Sequence, residues 1–374
     1  MAGTPTRGKS LARKRAHFHR LTVAAVRRLT EDAIEVTFAV PSELASQFNY
    51  EPGQYLAIRS QLNGRELRRS YSICTKPALG EIRIAIKRDL GGAFSTWANE
   101  ALVVGHQFDV MSPQGTFTTD IHPELSRSYG AIAAGSGITP IMALASSILA
   151  GSPSSRFTLV YSNRTALDMM FLEELADLKD KYPARLAIHH VLSREQRTSE
   201  LLSGRIDAEK LTALLAGLLR PHSVDEWLIC GPFELVQLCR DTLAAEGVDS
   251  RRIHFELFNA DRPDRPKSDT GRPIVVDPGA MQHRITFTLD GRTASVNTPV
   301  HGRETVLNAA LRVRQDVPFA CAGGVCGTCR ATLVSGTVEM EENYALEPEE
   351  VAAGYVLTCQ ARPTSEAIVV NYDS

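Results

Sequence analysis

The sequence has few of the features that mark membrane-spanning, secreted or nucleic-acid-binding proteins. It contains no run of about 18 apolar residues, so neither a spanning helix nor a membrane partner is expected. The N-terminal stretch is basic but lacks the apolar segment of a secretory signal, which predicts a disordered tail over residues 1–18 and leaves an organelle presequence as the alternative. A net charge of only −2 gives no reason to expect nucleic acid as a partner.

Cysteine is also scarce, with seven among 374 residues. In a chain without secretory features this count argues against a disulfide scaffold and indicates a reducing compartment, so the cytoplasm is the expected location. Four of the seven follow one spacing, C-x4-C-x2-C-x29-C, made by Cys321, Cys326, Cys329 and Cys359. The other three are Cys74, Cys230 and Cys239.

The spacing of the four cysteines is the one by which a tight loop and one later strand hold a plant-type [2Fe-2S] cluster. Gly323, Gly324 and Gly327 stand between them, and small residues let backbone N–H groups approach the cluster sulfurs. A zinc site is the alternative, but zinc sites favour short C-x2-C pairs at both ends, whereas the fourth cysteine here stands alone. Because such a cluster carries one electron at a time, the rest of the chain should contain an electron source.

The residue pattern divides the chain into several domains. Residues 19–124 alternate apolar and polar side chains in short runs separated by turn residues, which predicts an antiparallel β-barrel. Residues 125–258 alternate strands with helices, among them a helix over 140–149 and another over 169–181, which indicates a doubly wound parallel α/β sheet. A proline-rich linker over 259–282 precedes a third domain, 283–374, with a hairpin signal at Asp290-Gly291.

The predicted barrel contains two motifs suited to a dinucleotide. In Arg69-Ser70-Tyr71-Ser72 an extended strand sends Arg69 and Tyr71 to one face, where the cation can pair with a pyrophosphate and the ring can lie against a flat ring system. Ordinary surface and core roles are the alternative for these side chains. Further on, Gly91-Gly92-Ala93-Phe94-Ser95-Thr96 opens a predicted helix with Ser95 or Thr96 as its cap, and helix N-termini of this kind bind phosphate.

The α/β domain contains a second candidate dinucleotide site. Gly135-Ser136-Gly137-Ile138-Thr139-Pro140 joins its first strand to a helix, with Pro140 expected at the first helical position. Arg164 ends the next strand, where it suits a ribose 2′-phosphate and favours NADPH over NADH, although a solvated arginine is the alternative. Cys230-Gly231-Pro232 ends a later strand at the carboxyl edge, where open α/β sheets bind ligands, and a structural cysteine is the alternative there.

These motifs, in this order, resemble the ferredoxin-NADP reductase superfamily fused to a plant-type ferredoxin domain, and the resemblance covers the chain from about His19 onward. Within that family the stretches 190–195, 202–207, 343–348 and 353–359 resemble the reductase subunits of the phenylacetyl-CoA epoxidase type. The resemblance implies an antiparallel barrel for FAD, a parallel α/β sheet for NADPH with NADH possible, and an α+β β-grasp fold for the ferredoxin domain.

The resemblance also implies roles for single residues. The FAD would be held by Arg69, Ser70, Tyr71, Ser72, Gly92, Phe94, Ser95 and Thr96. The nicotinamide dinucleotide would be held by Gly135, Gly137, Thr139, Pro140, Arg164, Gly231 and Pro232. Cys230 would lie beside the nicotinamide during hydride transfer, and Glu256 would lie near the flavin edge. The cluster ligands would be Cys321, Cys326, Cys329 and Cys359.

The implied function is an electron relay from NADPH through FAD and the cluster to the oxygenase component, di-iron in type, of a multicomponent monooxygenase. The acidic run 339–350 could steer a basic oxygenase surface, with a solvated loop as the alternative. Two other functions stay open at this point. One is the reductase of a ring-hydroxylating dioxygenase or of a steroid 9α-hydroxylase, and the other is a [2Fe-2S] sensor or carrier that does not oxidise NAD(P)H.

Overall fold

The computed structural model describes residues 18–62, 64–89, 92–258, 281–300, 304–314, 317–319, 324, 327–343 and 345–373. The chain divides into two compact units, one of residues 18–261 and one that holds residues 262–374. The predicted tail, apart from residue 18, and the predicted linker, apart from residues 281 and 282, lie outside the described residues. None of the helices in the described ranges has the length and apolar character that crossing a membrane requires.

The first unit begins with a six-stranded antiparallel sheet. Its strands are β1 (Phe18–Thr30), β2 (Ala33–Ala39), β3 (Tyr55–Leu62), β4 (Arg65–Ser72), β5 (Glu81–Lys87) and β6 (Gln107–Met111), and its helix is α1 (Ala93–Ala101). The spatial order is β4-β3-β6-β1-β2-β5, and just beyond β4 Ile73 bridges Ile84 of β5, which brings the two edges of the sheet together. Alternating apolar residues such as Val36 and Phe38 fill the interior, so the predicted barrel is confirmed.

The same unit continues into a five-stranded parallel sheet. Its strands are β7 (Ser128–Ala134), β8 (Arg156–Asn163), β9 (Leu186–Leu192), β10 (Glu226–Pro232) and β11 (Ile253–Phe258). Its helices are α2 (Ile138–Gly151), α3 (Leu172–Lys181), α4 (Ala208–Leu214) and α5 (Phe233–Ala245). The spatial order is β11-β10-β7-β8-β9, so the chain adds β8 and β9 on one side of β7 and then β10 and β11 on the other side. Open α/β sheets bind dinucleotides at such a switch in strand order, here between β7 and its neighbours. The predicted parallel sheet is confirmed.

Two details of the predicted helices are wrong. The helix expected from Met169 begins at Leu172, because Phe171 before it takes a left-handed φ of 59° that a helix does not allow. Residues 169–171 are buried in the core and are not helical. Pro140 is the third residue of α2, not the first, because a short 3-10 turn over Gly135–Gly137 precedes the helix. The proline is still compatible with this place, since the first four N–H groups of a helix have no intrahelical acceptor.

The second unit is a mixed sheet with short helices. Its strands are β12 (Gln282–Leu289), β13 (Arg292–Pro299), β14 (Arg330–Ser335), β15 (Val338–Met340), β16 (Tyr355–Leu357), β17 (Ala361–Pro363) and β18 (Ala367–Asn371), and its helices are α6 (Val306–Leu311) and α7 (Pro348–Ala352). Five strands form the order β13-β12-β18-β14-β16 with β12 and β18 parallel, while β15 pairs with β17. The predicted hairpin is confirmed: Asp290 and Gly291 turn between β12 and β13 with φ of 57° and 68°.

Candidate redox site

The two motifs of the barrel meet in space. The ring of Tyr71 on β4 lies 6.0 Å from the ring of Phe94 on α1. Phe94 is buried, whereas Tyr71 and Arg69 are half-buried, and the guanidinium of Arg69 donates to the carbonyl of Arg68 at 2.8 Å. The hydroxyl of Ser70 is buried and has no hydrogen-bond partner among the described residues. A cation and an accessible ring on the same face of β4, beside a helix N-terminus, fit a flavin dinucleotide, whereas Ser70 lies on the opposite face of the strand.

The start of α1 is arranged differently from the prediction. Gly92 is the N-cap, and no side chain caps the first turn. Ser95 instead holds the preceding turn, since its hydroxyl accepts from the N–H of Asp89 at 3.1 Å and donates to the carbonyl of Gly92 at 3.3 Å. Thr96 lies inside the helix, where its N–H donates to the carbonyl of Gly92 at 3.0 Å. Expecting Ser95 or Thr96 as the cap was therefore wrong, and the uncapped helix N-terminus suits a phosphate.

Gly137 brings the glycine turn after β7 against the end of β10. A Cβ atom at this position would lie 2.2 Å from the carbonyl oxygen of Cys230 and 2.9 Å from Cα of Gly231, so only glycine fits. Gly135 turns the chain with a φ of 52°, and a Cβ atom there would meet no atom within 4 Å. The turn thus packs tightly on its β10 side and leaves open space at Gly135, which fits the approach of a pyrophosphate.

The rest of this turn is held by hydrogen bonds. The Thr139 hydroxyl donates to the carbonyl of Ser136 at 2.9 Å, and the Tyr161 hydroxyl on β8 donates to the carbonyl of Gly135 at 3.2 Å. Thr139 and Pro140 are buried, whereas Ser136 is half-exposed. Ser136 is therefore a candidate ligand-contacting residue that sequence reasoning missed, although its place between two turn glycines could have indicated it.

Three residues from different strands converge at the carboxyl edge of the parallel sheet. The Ser72 hydroxyl at the end of β4 donates to Glu256 Oε2 on β11 at 2.8 Å. The Cys230 thiol on β10 lies 4.0 Å from the same carboxylate oxygen, and Cys230 pairs with Glu256 in the strand register. Glu256, which would be an ordinary solvated residue on sequence grounds alone, thus joins the barrel to the parallel sheet.

The environment of Cys230 determines its charge. The residue is fully buried, and burial, followed by the nearby charge of Glu256, raises the pKa of its thiol well above the ordinary value of 9.0. The thiol is therefore protonated at neutral pH and is suited to packing rather than to nucleophilic attack. Next to it, Gly231 packs against Ala134, while Pro232 is exposed at the start of α5.

Arg164 is engaged by two carboxylates. Its Nη2 atom lies 2.7 Å from Asp168 Oδ1 and 3.3 Å from Asp32 Oδ2, and Asp32 also accepts from Lys87 Nζ at 2.9 Å. Burial alone would raise the pKa of Asp32, but hydrogen bonds from Lys87 and Thr30 and the charge of Arg164 hold that pKa below its ordinary value. A phosphate at Arg164 would have to compete with these two acids.

A second arginine lies beside Arg164 at the same sheet edge. Arg194 lies two residues after the end of β9, is exposed, and its backbone N–H donates to the carbonyl of Arg164 at 2.8 Å. The neighbouring Ser193 N–H donates to the carbonyl of Asn163 at 2.9 Å, so the two strand ends are joined. Sequence reasoning missed Arg194 as a candidate phosphate ligand, although its position shortly after a predicted strand was a usable signal.

Of the four predicted cluster ligands, the structure describes Cys329 and Cys359, and Cys321 and Cys326 lie outside the described residues. Both described cysteines are buried and form no disulfide. Thr358 joins them, since its N–H and its hydroxyl donate to the Cys329 carbonyl at 3.1 Å and 2.9 Å. Two buried cysteines whose backbones are joined through Thr358 fit ligation of a metal cluster.

The acidic run 339–350 has fewer available charges than its sequence suggested. Glu350 is buried, accepts from Arg330 Nη1 at 2.5 Å and forms a capping box with Glu347 at the start of α7. Glu341 pairs with Arg362 at 2.7 Å. Reading all six glutamates as one steering patch is therefore wrong, because Glu350 is a structural residue and Glu341 is paired.

Comparison with known families matches each part of the chain. Residues 20–119 match the family model of an oxidoreductase FAD-binding domain, residues 131–241 that of an oxidoreductase NAD-binding domain, and residues 287–364 that of a 2Fe-2S iron-sulfur cluster binding domain. These matches confirm FAD, a nicotinamide dinucleotide and a [2Fe-2S] cluster as the cofactors. They also confirm an oxidoreductase.

Relatives align with this chain over nearly its whole length. The chain is 44% identical over 357 residues to one of the subunits of 1,2-phenylacetyl-CoA epoxidase of Escherichia coli (strain K12), covering 96% of this chain and 98% of that protein. It is 34% identical over 356 residues to the ferredoxin reductase component of 3-ketosteroid-9-alpha-monooxygenase of Rhodococcus rhodochrous, covering 94% and 96%. The solved structure of phthalate dioxygenase reductase covers 95% of this chain and 98% of its own at a TM-score of 0.58 and 23% identity, which shows the fold. The chain belongs to the ferredoxin-NADP-reductase-like flavoprotein reductases that are fused to a [2Fe-2S] ferredoxin domain.

Proposed function

We propose that the chain is the reductase component of a multicomponent oxygenase, that this oxygenase is a phenylacetyl-CoA epoxidase, and that its catalytic component is of the di-iron type. The observation that carries the proposal is the 44% identity to an epoxidase component over 96% of the chain, which includes all three domains. The cytoplasm is the proposed location, because Cys74, Cys230 and Cys239 are free thiols, as expected in a reducing compartment.

The proposed chemistry uses the cofactors for redox steps and the protein for binding and position. Bound FAD converts the two-electron hydride of a nicotinamide into the single electrons that a [2Fe-2S] cluster carries, a conversion that side chains do not supply. Ser72 and Glu256 would hold the edge of the flavin site, and the neutral Cys230 thiol would border the nicotinamide ring. The uncapped N-terminus of α1 and the turn at Gly135 would each hold a pyrophosphate.

NADPH is the proposed electron donor. Arg164 and Arg194 follow adjacent strands and their backbones are hydrogen bonded, which would bring two arginines to the place where the adenosine ribose of a dinucleotide binds. Arg194 is exposed, whereas Arg164 must exchange Asp168 and Asp32 for the phosphate. The 2′-phosphate would therefore bind Arg194 first, with Arg164 as the second and weaker contact.

The second candidate function is the reductase of a steroid 9α-hydroxylase or of a ring-hydroxylating dioxygenase. The 34% identity to a ketosteroid monooxygenase component supports it, but less strongly than the 44% identity supports the epoxidase. Exposed acids of the run 339–350, Glu339 and Glu349 among them, could steer any partner with a basic surface and therefore do not separate the two candidates.

Reconstitution of turnover tests the proposal. The purified protein, loaded with FAD, iron and sulfide, is mixed with NADPH and either the oxygenase components of phenylacetyl-CoA epoxidase or the oxygenase of 3-ketosteroid 9α-hydroxylation, and product is measured. We expect product from phenylacetyl-CoA and little or none from the steroid. A Cys329→Ser control should still bleach its flavin bands with NADPH while product is lost. Steroid product alone would contradict the epoxidase assignment, and a protein whose flavin NADPH never reduces would contradict the reductase function.

A further inference from the structure

Gln360, the residue directly after Cys359, aims its amide at a proposed cluster ligand. Its Nε2 atom lies 3.6 Å from Cys359 Sγ and 3.1 Å from the Cys359 carbonyl oxygen. A primary amide has two N–H donors, so it can serve the carbonyl and the sulfur together. Gln360 is 6% exposed, which places this contact away from bulk water, where a hydrogen bond has more electrostatic effect.

The surroundings hold this amide in place. A Cβ atom at Gly324, whose φ is 79°, would lie 3.1 Å from Gln360 Cγ, so the aliphatic part of Gln360 rests against Gly324. The Gln360 N–H donates to the carbonyl of Leu357 at 2.8 Å, and its carbonyl accepts from the N–H of Glu341 at 3.3 Å. The backbone is fixed on both sides, and the side chain has little room to turn its donors away from the sulfur.

We propose that Gln360 is a positioning residue that raises the reduction potential of the [2Fe-2S] cluster by donating an N–H hydrogen bond to the Cys359 sulfur. A donor at a ligand sulfur stabilises the reduced cluster, which carries one more negative charge than the oxidised cluster. The effect favours loading of the cluster from the flavin. The inference rests on Cys359 being a cluster ligand, and it does not depend on which oxygenase receives the electrons.

A redox titration of the full-length protein with dithionite, followed by the electron paramagnetic resonance signal of the reduced cluster, tests this proposal without NADPH or oxygenase. Gln360→Met keeps the length of the side chain and removes both donors. Gln360→Asn keeps the amide but is one methylene shorter, so it withdraws the donor from the sulfur. Gln237→Met is the matched control, because Gln237 is a half-buried residue of the other unit whose amide donates to Asp241 Oδ1 at 2.8 Å.

We expect both Gln360 variants to shift the equilibrium toward the oxidised cluster by about tenfold. For a one-electron couple this corresponds to a reduction potential about 59 mV more negative. The control should match the wild type. An unchanged or more positive reduction potential in both variants would overturn the proposal. A more negative potential in Gln360→Met alone would also overturn it, because Gln360→Asn lacks the donor to the sulfur as well, and the effect would then come from the loss of a polar side chain. These results are independent of the proposed function, which fails only if NADPH does not reduce the flavin or the epoxidase makes no product.

Discussion

Gly137→Ala is the substitution whose effect can be worked out most directly from the structure. The new Cβ would lie 2.2 Å from the carbonyl oxygen of Cys230, and Cβ atoms do not approach other heavy atoms within 3.0 Å, so the start of α2 and the end of β10 must separate by at least 0.8 Å. Both clashing partners are backbone, which cannot rotate away. Overpacking of this kind costs about 1–3 kcal/mol, and a displacement near 1 Å at a reacting centre can cost about 100-fold in rate.

The expected result is weaker binding of NADPH, by about 5- to 100-fold, with retention of FAD and of the cluster. Binding suffers because the displaced turn follows β7 where the strand order switches from β8 on one side of β7 to β10 on the other, which is the predicted pyrophosphate site. Stopped-flow measurement of flavin reduction over a range of NADPH concentrations gives both the dissociation constant and the limiting rate. Thermal unfolding of the variant separates this local effect from loss of the fold.

Gly247→Ala is the matched control, in the same parallel-sheet part of the chain but outside the turn of the predicted pyrophosphate site. Its Cβ would meet no atom within 4 Å, so its expected cost is the backbone strain of a left-handed φ of 77°, about 1 kcal/mol of fold stability. We expect NADPH binding within about twofold of the wild type. The reasoning is refuted if Gly137→Ala binds NADPH within about twofold of the wild type, or if Gly247→Ala weakens binding as much as Gly137→Ala does.

Three further predictions concern charged groups. Ser72→Ala removes the 2.8 Å hydrogen bond to Glu256 and should slow flavin reduction by NADPH about tenfold, measured by stopped flow, and an unchanged rate would contradict the role of this contact. Asp168→Asn removes one of the acids that hold Arg164 and should raise the preference for NADPH over NADH about two- to fivefold in kcat/KM, whereas a fall would exclude Arg164 from the phosphate site. Burial alone would raise the pKa of the Glu226 carboxyl, but hydrogen bonds from other side chains hold that pKa below its ordinary value of 4.5. The ionised carboxylate therefore stabilises the fold at neutral pH, and this stabilisation is lost as the pH falls. Glu226→Gln should lower Tm at about pH 7 and lose that difference toward about pH 3, and a difference that grows in acid would contradict the sign.

The parts of the fold that short-range patterns specify could be predicted from the sequence. Alternation of apolar and polar residues located strands such as β2 and β5, because the side-chain period of a strand does not depend on its partners. The hairpin at Asp290-Gly291 was predictable for a similar reason, since both residues tolerate the positive φ that a two-residue turn requires. The glycine turn at Gly135 and the cysteine spacing also lie within short segments and could be read locally.

Predictions that depended on neighbours in space were less accurate. Ser95 has the side chain of a good cap, but the turn before α1 places Asp89 within reach of its hydroxyl, and that contact replaces the cap. Met169 to Phe171 have good helical character, yet their burial in the core favours a left-handed residue and a later helix start. In both cases a tertiary contact outweighed the local preference, which is worth only about 1 kcal/mol per residue.

The charged contacts of the site were the hardest to foresee, and they explain how two domains form one site. Ser72 and Glu256 are 184 residues apart in the chain, and Arg164 and Asp32 are 132 apart, so no motif could pair them. Each pair joins the barrel to the parallel sheet. The carboxylate that orders Ser72 also approaches the Cys230 thiol, and therefore a small shift of the sheet against the barrel would change both contacts at once. Hydride transfer requires a geometry held to within fractions of an ångström. Residues at this joint should consequently affect the rate of flavin reduction even when they touch neither cofactor, and the Ser72→Ala measurement examines the contact at its centre.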